Sequence, residues 1–133
     1  GVVRLPGSGG ACDIASLAHR FVALLEHSRH RLPERVSYIT SPGYGNGPGW
    51  RKSVGLPRGG PSAIITTKCV LRFDAATGQA FVATLHQGVR MDDVKTNTGW
   101  DLNVAPDVKT TPEPTPAELQ AIREYDREGF WTK

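Results

Sequence analysis

Cysteine is scarce in this sequence, and its distribution excludes several kinds of site. The two cysteines, Cys12 and Cys69, are widely separated and form no Cys-x-x-Cys pair. The sequence therefore lacks the thiol spacing that is typical of metal-binding or redox motifs. Two well-separated thiols favour a reducing compartment, and we expect the protein to be cytoplasmic.

Long apolar runs and concentrated charge are also absent. No apolar stretch approaches the ~20 residues that a transmembrane helix needs, and nothing at the N-terminus resembles a secretion signal. The net charge of the 133-residue chain is +3, and it is spread along the sequence. Nucleic-acid binders concentrate their positive charge more strongly. We therefore expect no membrane and no nucleic acid among the partners, and a single domain over residues 1–133.

Glycine, in contrast, is plentiful, and three glycines mark residues 7–11, which we call the glycine segment. An apolar stretch at residues 2–5 precedes it and a helical pattern follows, which predicts a strand, a glycine turn and a helix. Glycine permits positive φ and leaves backbone N–H groups uncovered beside the positive end of a helix. Such a turn suits a phosphate, a carboxylate or a developing oxyanion. The segment is neither a Walker loop nor a dinucleotide fingerprint, and a plain tight turn is an equal alternative.

Hydrophobic periodicity predicts strands that alternate with short helices. The predicted strands cover residues 20–26, 36–40, 62–66, 69–73, 79–86 and 100–105. The predicted helices cover residues 13–19, 91–98 and 116–128, the last beginning with a capping box at Thr115. We expect an α/β fold with a mixed, mostly parallel sheet flanked by helices. Residues 1–106 are predicted to form its core, and residues 107–133 a linker and the C-terminal helix.

Some predictions concern individual positions. The apolar run at 20–26 favours a strand that is buried on both faces. Gly78 is expected to supply the left-handed position of a hairpin turn, and Gly99 to end the second helix at its C′ position. His27 and His30 are three residues apart, but no third ligand is evident in the sequence. We therefore expect no metal site and interpret residues 27–35 as a solvated turn, with an anionic ligand or partner for its cations as the alternative.

A long loop is predicted over residues 41–61, which contain seven glycines and four prolines. Loops of this length are uncommon in compact domains and are usually functional when they are ordered. Aromatic and cationic side chains fall within it, namely Tyr44, Trp50, Arg51, Lys52 and Arg58. These side chains are suited equally to binding a nucleotide-like ligand and to packing against a partner subunit.

Separate motifs in a fixed order resemble the C-terminal half of the β subunit of the class I CoA-transferases, most closely the glutaconate CoA-transferase type. They are Arg-Leu-Pro-Gly-Ser-Gly-Gly-Ala at 4–11, Ser-Tyr-Ile-Thr-Ser-Pro-Gly-Tyr at 37–44, Gly-Gly-Pro-Ser-Ala-Ile-Ile-Thr at 59–66 and Asn-Thr-Gly-Trp-Asp-Leu at 97–102. The resemblance covers nearly the whole chain and implies the CoA-transferase-like open α/β fold. His86-Gln87-Gly88 departs from the family's His-Pro-Gly, which we interpret as a surface turn variation.

The resemblance also implies a function. In the family, CoA moves from an acyl-CoA to a free dicarboxylic or 3-oxo acid through a glutamyl-CoA intermediate. The CoA thioester is then a substrate, and no permanently bound cofactor is implied. The backbone of Gly9 and Gly10 would form the oxyanion hole. The residues expected to contact CoA or substrate are Gly7, Ser8, Ala11, Tyr44, Arg51 and Arg58.

One essential group of the family lies elsewhere. The family's nucleophilic glutamate precedes the glycine segment, and Asp13, Glu26 and Glu34 match no part of its pattern. We therefore expect the N-terminal half of the β subunit and an α subunit as partners, and an inactive chain without them. A start at Gly-Val-Val rather than methionine suits a fragment or processed product. Two alternatives stay open: a CoA-ester hydrolase of the same fold, and a non-catalytic CoA-binding or assembly module.

Overall fold

The computed structural model describes residues 7–56 and 58–130. The strand predicted at residues 2–5 lies outside the described residues. The elements are α1 (Gly9–Leu17), β1 (Phe21–Leu25), α2 (Trp50–Ser53), β2 (Pro61–Thr66), β3 (Cys69–Phe73), β4 (Ala80–Leu85), α3 (Met91–Thr96), β5 (Asn103–Thr110) and α4 (Pro116–Tyr125). Among these residues, no helix is long and apolar enough to cross a membrane.

The strands form one five-stranded sheet in the order β1-β2-β3-β4-β5. β1 runs parallel to β2, and β4 runs parallel to β5. β3 is antiparallel to both of its neighbours, β2 and β4. Four strands therefore share one direction and β3 opposes them, which confirms the predicted α/β fold with a mixed, mostly parallel sheet.

The hairpin of β3 and β4 follows its prediction closely. Gly78 has a φ of 72°, the left-handed conformation that the turn requires. The Asp74 carboxylate accepts hydrogen bonds from the backbone N–H groups of Ala76 and Thr77, at 3.0 and 2.8 Å. Bonds from Thr77, from its hydroxyl and its backbone, lower the pKa of Asp74, so the carboxylate stays ionised and holds the turn closed.

The hydrophobic core lies on one face of the sheet, where α3 covers it. Leu71 and Val82 are paired across β3 and β4, and neither is exposed to solvent. Val94 of α3 is equally buried against them, together with Leu102 and Cys69. Apolar residues at alternate positions of two strands thus meet one helix, which is the usual layering of an α/β domain.

β1 differs from its prediction because only one of its faces is covered. Val22 is 49% exposed and Leu24 is 76% exposed, whereas the alternate residues are partly buried. β1 is the first strand of the sheet, and α1 buries only Ala15 of its own side chains. The prediction of burial on both faces is therefore wrong for the described chain.

The prediction of a strand at residues 36–40 is also wrong, because these residues adopt irregular structure. Val36, Tyr38 and Ile39 are all exposed, by 60, 77 and 74%. Alternating β-branched and aromatic residues favour a strand only where a neighbouring strand supplies hydrogen bonds. None of the described strands pairs with this stretch.

The C-terminal elements shift relative to their predicted bounds. The last strand was expected at 100–105, but β5 covers Asn103–Thr110, so the predicted core boundary after residue 106 falls inside a strand. β5 is an edge strand with an irregular register opposite Val82 and Thr84, a setting that tolerates Pro106. The capping box of α4 is confirmed, with Thr115 and Glu118 bonded reciprocally.

The first helix also differs from its prediction, because α1 begins four residues before its predicted start.

Gly99 serves close packing rather than helix termination. It is absent from the glycines with positive φ, which contradicts the predicted C′ role. Its N–H donates to the Leu32 carbonyl at 2.8 Å. A Cβ added at this position would lie 2.3 Å from the backbone nitrogen of Glu34. The residues around Leu32 are thus held to the end of α3 by a contact that only glycine permits.

We predict that Gly99→Ala lowers the free energy of unfolding by about 1–3 kcal/mol, because the added methyl group meets backbone atoms that cannot move aside. Chemical denaturation measures the change. Gly43→Ala is the control, since a Cβ there has no heavy atom within 4 Å, and its effect should stay within about 0.5 kcal/mol. Equal stability of the two variants would contradict the packing role of Gly99.

Candidate functional site

The glycine segment forms the first turn of α1. Ser8 is the N-cap, and Gly9 and Gly10 are the first two helical residues. The first bond of the helix joins the Cys12 N–H to the Ser8 carbonyl at 3.0 Å. The preceding N–H groups have no acceptor within the helix, and the Ser8 side chain does not cap them. This end of α1 therefore presents backbone donors with the positive end of the helix dipole behind them.

Neither the packing nor the backbone conformation of the described residues requires glycine at Gly9 and Gly10. Gly7, Gly9 and Gly10 are all exposed, and neither Gly9 nor Gly10 has a positive φ. A Cβ at any of the three would have no heavy atom of the described residues within 4 Å. Glycine has a low helix propensity, and neither packing nor φ within the described residues requires it at Gly9 or Gly10. A group approaching from outside the described chain would account for it.

Arg51 organises the long loop. The loop contains α2, a single turn that the sequence did not predict, and Arg51 on this turn is only 7% exposed. Its guanidinium donates at 2.9–3.2 Å to five backbone carbonyls, those of Ala15, Ser16, Pro42, Gly43 and Arg58. All three nitrogens of the side chain are used, so Arg51 supports the loop. The predicted contact between Arg51 and a ligand stays a prediction.

Tyr44 fixes the same loop to the sheet. Its hydroxyl donates to the Pro61 carbonyl at 2.8 Å, and its ring meets the Phe73 ring edge to face at 5.3 Å. Gly60 and Gly78 lie against the tyrosine side chain, where an added Cβ would come within 2.8 and 3.1 Å of it. The loop is therefore ordered by contacts with both β2 and the hairpin.

A pocket of about 450 Å³ lies between this loop and the hairpin turn, and we call it the loop pocket. Tyr44, Arg51 and Arg58 all line it, so the structure brings three of the predicted binding residues together. Lys52, another cation of the loop, lines it as well. The volume is within the usual range for small-molecule sites. The glycine segment does not line the pocket, since the two lie at opposite ends of α1.

His27 is buried, at 3% exposure, which contradicts the solvated turn predicted for it. Its Nδ1 lies 3.0 Å from the Thr66 hydroxyl, and its Nε2 lies 3.2 Å from the Val94 carbonyl and 3.1 Å from the Thr98 hydroxyl. The histidine thus links the end of β1 to the end of β2 and to α3. Nothing local predicts this, because His27 follows the strand directly in a stretch rich in charged residues.

The partners of His27 determine its tautomer. The Val94 carbonyl can only accept, so Nε2 carries the proton and Nδ1 accepts from Thr66 or from the Cys69 thiol, whose sulfur is 3.6 Å away. Burial lowers the pKa of His27 below its ordinary value of 6.5, and burial raises the pKa of Cys69. Both shifts favour the neutral form of the side chain. Within residues 7–56 and 58–130, no group of three or more histidine, cysteine, aspartate or glutamate residues could hold a metal ion.

His86 makes a second link to the same strand end. Its Nε2 lies 2.8 Å from the Thr66 carbonyl and must donate to it, so Nδ1 accepts from the Thr111 hydroxyl at 2.9 Å. Residue 66 thereby connects two histidines, one through its hydroxyl and one through its carbonyl. The neighbouring Gln87 is exposed in a turn.

Comparison with known proteins decides the family. The profile of the family described as Coenzyme A transferase matches residues 1–97. The chain belongs to the coenzyme A transferase family. It is 43% identical, over 91% of its own length and 46% of the relative, to the β subunit of 3-oxoadipate CoA-transferase from Pseudomonas knackmussii. It is 38% identical, over 91% of its length and 45% of the relative, to the β subunit of glutaconate CoA-transferase from Acidaminococcus fermentans. The resemblance to a class I CoA-transferase β subunit is confirmed.

Solved structures agree with this assignment. The glutaconate CoA-transferase of Acidaminococcus fermentans matches with a TM-score of 0.84 and 33% identity, over 98% of this chain and 50% of that one. The decarboxylase AibA/AibB shares the fold at 20% identity, with a TM-score of 0.72 over 97% of this chain and 47% of that one. The chain spans about half the length of the relatives that it matches.

We predict that Arg51→Lys lowers the free energy of unfolding by about 2–4 kcal/mol, because one ammonium group cannot serve five carbonyls and leaves some of them buried without a donor. Thermal and urea unfolding measure the loss. Arg58→Lys is the control, since its side chain is exposed, and it should change stability by no more than about 0.5 kcal/mol. Similar stability of the two variants would show that the five bonds contribute little.

The lowered pKa of His27 predicts a pH dependence with a definite sign. Below pH 6.5 the unfolded chain binds a proton at His27 that the folded chain does not, so stability falls as the pH drops from there toward the folded pKa. The slope approaches about 1.4 kcal/mol per pH unit. His27→Gln cannot titrate and should remove this part of the profile, whereas His30→Gln, at an exposed position, should retain it. Parallel profiles for the parent and His27→Gln would contradict a buried neutral histidine.

Proposed function

We propose that this chain is the C-terminal half of a CoA-transferase β subunit and that the assembled enzyme moves CoA between an acyl-CoA and a free acid. The observation that carries the proposal is the 43% identity to the 3-oxoadipate CoA-transferase β subunit over 91% of the chain. The second relative is named for glutaconate. Both names denote dicarboxylates, so a dicarboxylic or 3-oxo acid is the proposed acceptor.

The proposed contribution of the glycine segment is to stabilise charge. A glutamate outside this chain attacks the thioester carbonyl, and the carbonyl oxygen becomes an oxyanion. The N–H groups of Gly9 and Gly10 would donate to that oxygen, with Gly7, Ser8 and Ala11 lining its approach. The exposed first turn of α1 supports this role, because the Ser8 side chain does not cap its donors and no side chain of the described residues lies close to Gly9 or Gly10.

The remaining steps restore the enzyme. Collapse of the tetrahedral intermediate expels the CoA thiolate and leaves an acyl-glutamyl anhydride. The thiolate attacks the glutamyl carbonyl, which releases the free acid and forms the glutamyl-CoA thioester. A second carboxylate takes the CoA by the reverse steps. Each step passes through an oxyanion, so one set of backbone donors serves all of them.

The missing nucleophile defines the partners in this proposal. The upstream half of the β subunit supplies the glutamate, and an α subunit completes the enzyme, since each relative is named as one subunit of its transferase. The test is to combine this chain with both partners and to follow transfer of CoA from an acyl-CoA to 3-oxoadipate or glutaconate. CoA release that does not depend on an acceptor acid would instead indicate a hydrolase, and binding without either reaction would indicate a non-catalytic module.

We predict that Gly10→Val reduces transfer by the reconstituted enzyme about 100-fold or more, because the side chain would block the approach of the thioester oxygen to the backbone donors. The substitution has open space around it, so the fold should be kept. Cys12→Val, one position beyond the glycine segment on α1, is the matched control and should retain activity. Activity of Gly10→Val within about twofold of the parent would contradict the oxyanion role.

A further inference from the structure

The loop pocket has positive charge that the proposed chemistry at the glycine segment does not use. Lys52 and Arg58 both line the pocket, and both are exposed. Neither takes part in any ion pair within the described part of the chain. Two cations at the mouth of one cavity raise the local concentration of anionic ligands and favour their binding.

The wall of the pocket adds to this potential. Arg51 contributes a third positive charge, which its hydrogen bonds to carbonyls hold in place without cancelling it. Asp74 also lines the pocket, but its Oδ1 accepts from the backbone of Ala76 and Thr77 within the hairpin turn. Because Asp74 is the single carboxylate among the described lining residues, the pocket keeps a net positive charge.

The remaining lining suits a flat ring. Tyr44 and Phe73 form an aromatic corner at one side, and Leu56 and Ala75 add apolar surface. Bases of nucleotides commonly pack against aromatic side chains, while their phosphates take arginine and lysine. Cations and aromatic surface in one cavity of about 450 Å³ therefore fit a phosphorylated nucleoside.

We infer that the loop pocket binds the phosphorylated adenosine end of CoA, with Lys52 and Arg58 contacting its phosphates. The identity of the ligand rests on the proposed function, whereas the site rests on the pocket. Arg51 joins the pocket to Ser16 in the last turn of α1, and Gly9 lies about 10 Å away along the helix axis. CoA is an elongated molecule with its thiol at one end and its phosphates at the other, so it matches two subsites separated along α1.

The test measures binding of adenosine 3′,5′-bisphosphate to the full 133-residue chain by calorimetry. The parent should bind it, and the double variant Lys52→Glu with Arg58→Glu should bind at least 10-fold more weakly. Lys95→Glu makes the same charge change at an exposed position on α3, outside the pocket, and should bind like the parent. Absent binding by the parent, or equal binding by parent and double variant, overturns the inference.

A second measurement separates this inference from the proposed function. In the reconstituted enzyme, the double variant should raise the KM for acyl-CoA at least 10-fold and leave the KM for the free acid unchanged. Transfer activity with an unchanged KM for acyl-CoA overturns the pocket assignment and leaves the proposed function standing. A different outcome is that the double variant loses bisphosphate binding while the parent chain, combined with its partners, transfers no CoA. That outcome supports the pocket and counts against the proposed function.

Discussion

The structure around the candidate site depends on the bonds between the Arg51 guanidinium and five backbone carbonyls. A loop rich in glycine and proline has few backbone hydrogen bonds of its own, and a large loss of conformational entropy opposes its ordering. Arg51 compensates by binding carbonyls from both ends of the loop and from the last turn of α1. The fixed planar geometry of arginine makes this possible, since its N–H groups point in set directions. The burial of this one side chain therefore helps to hold the wall of the loop pocket in place.

A comparable constraint operates at the end of β2, where polar side chains replace apolar packing. Thr66 is 4% exposed, and its hydroxyl contacts His27 and the backbone of Cys69. Its carbonyl accepts from His86. Buried polar groups are costly unless each is satisfied, and a satisfied network specifies one arrangement of the elements that it joins. Every buried side-chain nitrogen and oxygen in the described chain has a partner, so this cluster fixes how α3 meets the ends of β1 and β2.

Local patterns in the sequence predicted the elements whose cause is local. The capping box at Thr115 and the left-handed Gly78 depend on residues within one turn, and both are confirmed. Burial of His27, the five acceptors of Arg51 and the close contact at Gly99 depend on residues far apart in the sequence. Periodicity carries no information about such pairings. For this reason the basic stretch at residues 27–35 was predicted to be a solvated turn, although His27 is buried. The exposed strand predicted at 36–40 failed for the same reason, since a strand needs a neighbour.

The glycines of this chain differ in whether the fold requires them. At Gly78 and Gly99, the fold itself requires glycine, through φ in one case and contact in the other. At Gly9 and Gly10, the described chain offers neither reason, and alanine would favour the helix. In the proposed function, glycine at these two positions keeps the backbone N–H groups accessible, which would account for its presence there. The same reasoning separates Arg51, whose bonds account for its presence, from Lys52 and Arg58, whose exposed charges have no ion-pair partner in the described chain and which we assign by inference to a ligand.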